Sequence, residues 1–237
     1  MNRYSRQIML SEIGEEGQQK IRQASVLVVG AGGLGSAICP YLVAAGIGQL
    51  LIIDVDTVSI HNLQRQVLYR ENQIGMSKAI EAKRSLQRLN SEVKITAFHD
   101  CFSHENAAEI VKKADIVIDA CDNFKTRYLI NDVCVRLDKP FIYGAISEFC
   151  GQLAVFNYNK GSTYRCLFPD EAEMIASQKE VVGVLGVLPA VIGSLQANEA
   201  IKFITQYGDL LANKLFTINL KNNQTSIVDI PVVRHKI

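Results

Sequence analysis

From Val26 to Ile53 the chain carries no charged residue, and that stretch constrains what can be built around it. It opens as a β-branched run, S-V-L-V-V-G at 25–30, and turns through G-A-G-G-L-G at Gly30 to Gly35. A small-residue segment over 34–45 comes next, and the stretch leads into a second apolar run, Q-L-L-I-I-D at 49–54. The length would cross a bilayer. However, Gly30, Gly32, Gly33, Gly35, Gly46, Gly48 and Pro40 cut it into pieces too short for one membrane helix. A strand covered by helices on both faces is apolar at every position, so a buried strand–turn–helix–strand unit accounts for the pattern. The second uncharged stretch, Val181 to Asn198, is broken in the same way by Gly183, Gly186, Pro189 and Gly193.

The alternation continues downstream. Ala79, Ala82, Leu86 and Leu89 recur at helical spacing and predict a helix over 77–90. Strand 93–98, helix 104–113, strand 115–120, helix 124–137 and strand 140–144 continue it. This βαβ rhythm predicts an α/β fold with a doubly wound, Rossmann-like, mostly parallel sheet. After Gly151 the rhythm changes. A strand is expected over 152–158, and 159–186 has little periodicity and reads as a functional loop or a disordered segment. A helix is expected over 188–206, with Pro189 in its first turn where proline is tolerated. Two C-terminal antiparallel strands, 214–220 and 224–230, flank Asn222-Asn223 as a tight hairpin turn. A length of 237 residues fits one large domain. Its nucleotide-binding part is expected over about 1–146 and an extension over 147–237.

Charge and cysteine content exclude several classes. Lys+Arg 25 against Asp+Glu 24 leaves a net charge of +1, so no nucleic-acid or membrane-surface partner is expected. The six cysteines, at 39, 101, 121, 134, 150 and 166, form neither a CxxC knuckle nor a disulfide framework. Met1 to Leu10 holds Arg3 and Arg6 and no apolar signal core, so a reduced, cytoplasmic protein is expected.

The glycine turn sits between a strand and a helix, where backbone N–H groups and the helix N terminus favour a phosphate. Asp54, at the end of the second strand, can accept both hydroxyls of a ribose. These two features suit any dinucleotide enzyme. The segment beyond Asp54 is more selective: Asp56, then His61, Asn62, Leu63, Gln64, Arg65 and Gln66, with Lys78 farther on. A hydride-transfer enzyme has no need of an arginine and a lysine converging here, whereas a triphosphate does. Another strand, D-I-V-I-D-A-C, runs into Asp122-Asn123 and then Arg127. Ligands sit at strand carboxyl ends in such sheets, and Asp122 there can either ligate Mg²⁺ through oxygen or cap the next helix.

Read with R-Y-S-R-Q-I near the N terminus, the Gly75 to Lys78 segment, Y-R-C-L-F-P and G-S-L-Q-A-N-E-A-I-K, these motifs resemble the ubiquitin-activating superfamily. More closely, the chain resembles the bacterial adenylyltransferases of ThiF and MoeB type, which activate sulfur-carrier proteins in thiamin and molybdopterin synthesis. The resemblance implies ATP and Mg²⁺ as cofactors, and as partner a small β-grasp carrier protein whose C-terminal Gly-Gly carboxylate is linked to AMP. It implies that Gly33 and its neighbours hold the nucleotide and Asp54 the ribose. Asn62, Arg65 and Lys78 would reach the phosphates and Asp122 the metal. Arg6 matches a residue that reaches in from the other subunit, which implies a homodimer. Adenylylation of another peptide or small carboxylate is an alternative, as is a binding module without turnover.

The sequence departs from the family pattern twice. Members commonly hold zinc with two CxxC pairs, but Thr163 stands where the first thiolate belongs, leaving Cys166. The second pair is missing from V-V-R-H-K-I, and Cys166 with His235 does not make a four-ligand site, so no zinc is expected. The thiol that some relatives use after adenylation falls on Lys179, whose amine cannot form a persulfide. Cys39, Cys121 and Cys134 read as small core residues. The chain is therefore expected to stop at the acyl-adenylate.

Overall fold

The computed structural model describes residues 3–178 and 183–233. Five strands alternate with helices first: β1 Ser25–Val29, β2 Gln49–Ile53, β3 Lys94–Phe98, β4 Ile116–Asp119 and β5 Phe141–Ser147. Three more close the sheet: β6 Cys150–Phe156, β7 Lys214–Asn219 and β8 Gln224–Asp229. The order is β3-β2-β1-β4-β5-β6-β7-β8, parallel from β3 to β5 and antiparallel from β5 to β8. The doubly wound reading holds, with its antiparallel extension in the same unbroken sheet.

The helices are α1 Ser5–Ile8, α2 Gly14–Gln23, α3 Gly33–Ala45, α4 Lys78–Leu89, α5 Ala107–Val111, α6 Phe124–Arg136, α7 Tyr164–Leu167, α8 Glu171–Ala176 and α9 Leu188–Thr205. Successive strand residues point to opposite faces, and β1 shows the result. Val26 and Val28 join the core under α3, α4 and α9, while Leu27 and Val29 join the one under α5 and α6. Both faces are dry, which is why the run over 26–53 needs no charge.

Several expectations change. Helices α1 and α2 lie outside every element expected from the sequence. Helix 104–113 contracts to α5, because Asn106 turns back to bond Ser103 N, Cys101 O and Asp100. The change of rhythm comes at Ser147, before Gly151: β5 and β6 are joined by Glu148 and Phe149 alone, with Glu148 at φ +52°. The described part of 159–186 carries α7 and α8, stapled to α6 by Arg165. That side chain bonds Asp132 at 2.8 and 2.7 Å and Glu171 at 2.7 Å, and stacks on Tyr128. The last hairpin forms as expected, with a four-residue loop over 220–223 in place of a two-residue turn.

α9 organises the middle of the molecule. It packs on α2 and α3 and runs under β4, β5 and β6. A Cβ on Gly193 would come 2.8 Å from Leu34 O and 2.8 Å from Ala37 Cβ, so only a glycine lets α9 approach α3 this closely. Among the described residues no helix is long and apolar enough to cross a membrane.

Candidate active site

Most of the expected site residues gather at the carboxyl ends of β1, β2 and β4; Leu63, Gln64 and Arg6 do not. The glycines of the turn divide by task. Gly30, at φ +104°, brings its Cα so close to β4 that a Cβ would sit 2.4 Å from Ala120 O; a Cβ on Gly35 would sit 2.3 Å from Gly30 O. These two let the turn close against its neighbours. Gly32 and Gly33 face the cluster, with Gln66 Nε2 and Arg65 Cδ as near neighbours and Pro189 of α9 against Gly33. Gly32 is the N-cap of α3 and has no side chain to bond the first turn. The N–H groups that a helix start leaves without intrahelical partners are thus not capped by this residue.

Asp54 braces the turn: its Oδ2 accepts Ala31 N–H at 2.6 Å and its Oδ1 accepts Asp56 N–H at 2.7 Å. Burial pushes its carboxyl above the usual aspartate range, against the two N–H bonds and the nearby Lys78 charge. Each carboxylate oxygen keeps a further lone pair. Lys78, first residue of α4, has a side chain only 6% exposed, and its Nζ lies 2.8 Å from Asp56 Oδ2. The ordinary solvated lysine of a helix start is excluded. Tyr69, which no motif marks, links the same parts: its hydroxyl donates to Ala31 O at 2.7 Å and lies 3.3 Å from Lys78 O.

The segment between Asp56 and Lys78 folds as short turns. Asn62 is buried at the end of one, and its carbonyl accepts the N–H of Arg65 and of Gln66. Arg65 is half-buried, its guanidinium donating to His61 O at 3.2 Å. Leu63 packs into the core and Gln64 lies against Gly186, so neither turns its bulk toward the glycines. Gln66, to which its place in the motif assigns no role, is 3% exposed, stands beside Gly32, and its Oε1 has no hydrogen-bond partner.

At the end of β4, Asn123 caps α6, its Oδ1 accepting Thr126 N–H at 2.9 Å. The expectation that Asp122 could cap α6 does not hold: the cap is its neighbour, and Asp122 is exposed. Arg127 does not join the cluster; it is buried on Asp119, with Nε 2.8 Å from Oδ2. Asp119 is hidden in the sequence because D-I-V-I-D offers two acids and only the fold shows which one points inward.

Arg6 lies farthest from the cluster. α1 is anchored at the far end of α3, where Tyr4 lies against Gly46 and accepts Asn90 Nδ2 at 2.9 Å, and Gln7 reaches Ala45 O. Thirteen helical residues at 1.5 Å each put about 20 Å between that end and the glycine turn. Arg6 is exposed there, away from the cluster of its own chain.

The position of the missing zinc pair has become a sulfur-centred clip. Cys166 Sγ accepts the N–H of Thr163 at 3.3 Å and of Val233 at 3.4 Å, and donates to Val233 O at 3.2 Å. Among the described residues no three His, Cys, Asp or Glu side chains gather as a metal cage. His235 and Lys179 lie outside the described residues. Cys39 and Cys134 are buried core thiols as expected; burial pushes the first to about 12 and the second higher. Cys121 is buried too, its thiol raised by burial and by Asp119.

The sequence model of the ThiF family matches residues 4–236. The chain is 47% identical over 222 residues to the sulfur carrier protein adenylyltransferase of Thermus thermophilus, covering 91% of this chain and 82% of that one. It is 44% identical over 227 residues to the adenylyltransferase and sulfurtransferase MOCS3-1 of Zea mays, covering 95% of this chain and 48% of the relative. The chain spans about half the length of the MOCS3 relatives it matches. Among solved structures, E. coli MccB with ATP superposes with a TM-score of 0.84 at 27% identity, covering 97% of this chain and 71% of that one.

Proposed function

The chain belongs to the ThiF family, and from that membership we propose that it adenylylates the C-terminal Gly-Gly carboxylate of a small β-grasp sulfur-carrier protein with ATP. The observation that supports the reading is a glycine turn braced by Asp54, with Gln66 beside Gly32, Arg65 beside Gly33 and Lys78 held close by on Asp56. The 47% identity to the sulfur carrier protein adenylyltransferase of Thermus thermophilus favours a sulfur carrier over another peptide as the substrate.

The site fits a nucleotide. Gly32 and Gly33 with the start of α3 receive phosphate and Asp54 the ribose, with Asn62 and Asn123 as further contacts. Asp122 offers the hard oxygen that magnesium prefers. Magnesium, when bound there, supplies charge neutralisation along the phosphate chain. Arg65 and Lys78 spread the charge that builds on the phosphates during displacement, and Asp56 releases Lys78 as the phosphates arrive.

A C-terminal carboxylate has a pKa of about 3.3–3.7 and is ionised at neutral pH, so no general base is needed. One of its oxygens bonds to the α-phosphorus, the bond to the bridging oxygen breaks, and pyrophosphate leaves with that electron pair. Acyl-AMP remains, and the chain stops there. In-line geometry then depends on positioning. Residues 1–146 hold the nucleotide in this reading. Residues 147–237 serve the carrier and a homodimer in which Arg6 enters the partner's site. The test is ATP–pyrophosphate exchange with a candidate carrier. Exchange that needs the carrier and is lost when its last glycine is removed supports the reading. Exchange indifferent to the carrier, or a bound-nucleotide structure with Arg65 and Lys78 turned into solvent, sinks it.

A further inference from the structure

Asp122 is exposed and has no packed surroundings of its own; what fixes it lies beneath. Asp119, the last residue of β4, is completely buried. Its Oδ1 accepts the N–H of Cys121 at 3.0 Å and its Oδ2 accepts Arg127 Nε at 2.8 Å. Arg127 returns the contact: its Nη2 donates to the carbonyl of Cys121 at 3.1 Å and lies 3.4 Å from that of Gly144 in β5. The two peptide groups on either side of the Cys121 Cα are therefore both held by one ion pair, and the second of them leads directly into Asp122. Tyr143 lies under the guanidinium at 5.0 Å, and Gln196 of α9 donates to Asp119 O at 2.7 Å.

We propose that the buried Asp119–Arg127 pair is a positioning device for Asp122, fixing the backbone from which that carboxylate meets the metal-bound nucleotide. This rests on the reading of Asp122 as the magnesium ligand. Apolar residues of similar volume would close the space between β4, β5 and α6 at lower desolvation cost than two buried charges. The bonds of this pair instead converge on the residue preceding Asp122. Supporting groups of this kind alter metal affinity by about 10- to 100-fold when changed.

The test uses the full chain and two charge-conserving variants, Arg127→Lys and Asp119→Glu, each checked for cooperative thermal unfolding. Two measurements are made: amide exchange at Cys121 without ligand, and calorimetric ATP affinity with Mg²⁺ and with EDTA. The expected result is faster exchange at Cys121 with β1 amides unchanged. The affinity gained from Mg²⁺ should fall about tenfold while affinity in EDTA holds. Folded variants that keep both the protection and the full Mg²⁺ gain overturn the proposal. If neither variant folds, wild-type Cys121 decides: protection like that of β4 supports the clamp, and exchange like an open loop refutes it. A wild-type chain that gains nothing from Mg²⁺ overturns the metal reading of Asp122 itself, a different failure from loss of the clamp alone.

Discussion

Two cations of the site differ in what they hold beforehand. Lys78 is already paired with Asp56, whereas Arg65 rests on one carbonyl at a half-exposed position, with little structural duty. Arg65→Ala is therefore expected to lower kcat by about a hundredfold while leaving Tm unchanged; unchanged turnover would remove it from the mechanism. Asp54 sets a pH dependence. Burial raises its pKa, and the ionised form is the one that accepts both ribose hydroxyls. ATP affinity should thus weaken, as pH falls, at a higher pH than an ordinary aspartate would give. The folded chain holds this proton more tightly than the unfolded one, so the same residue's contribution to stability declines as pH rises from the ordinary aspartate value through the raised one. Calorimetric ATP titrations at descending pH check the first part; a flat profile down to the ordinary aspartate range contradicts it. Asn62, Arg65 and Lys78 are singled out by the family resemblance, whereas the glycines and Asp54 are legible in the sequence because their spacing tracks the strand–turn–helix unit. Gln66, Tyr69 and Asp119 are not, because their roles come from burial, and a glutamine, tyrosine or aspartate in a motif reads alike whether it faces water or core.

At the level of elements, legibility depends on how each one is buried. Strands between two helical layers are apolar throughout and stand out. α2 does not: it buries Gly17, Gln18 and Ile21 at helical spacing, but Ile21 alone of the three is a large apolar residue, and Gln18 satisfies itself on Ala45 O at 3.0 Å. α7 and α8 span four and six residues, too few to show a period, although Tyr164 of α7 is buried among Tyr128, Tyr143 and Phe156. The tightest helix contact makes a prediction. Gly193→Ala forces its methyl into Leu34 O and should destabilise the fold by about 1–3 kcal/mol, read as a lower Tm. An unchanged Tm would mean that α9 and α3 can part without cost. Cys166→Ala, by contrast, removes the sulfur clip at the edge of the molecule. It should raise amide exchange at Val233 while leaving β1 protected; equal protection at Val233 would discount the clip.

Across the whole molecule, the distance between Arg6 and its own chain's cluster is the feature with the widest reach. If Arg6 completes a partner's site, Arg6→Ala and Arg65→Ala homodimers are each impaired, yet mixing them regenerates one intact site per heterodimer. Random exchange of subunits should then restore about a quarter of wild-type activity; no recovery after confirmed exchange would place Arg6 outside the reaction. The eight strands form one sheet, and α9 touches both halves: Pro189 against Gly33 at the glycine turn, Ile192 beneath Gly151 in the antiparallel part. A single rod thus spans the proposed seat of the nucleotide and the strands beyond it. Thermodynamic reciprocity then governs loading order: whatever factor a docked protein adds to the grip on nucleotide, nucleotide adds to the grip on that protein. A factor above one would make each ligand recruit the other, and a factor below one would make each expel the other to the same degree.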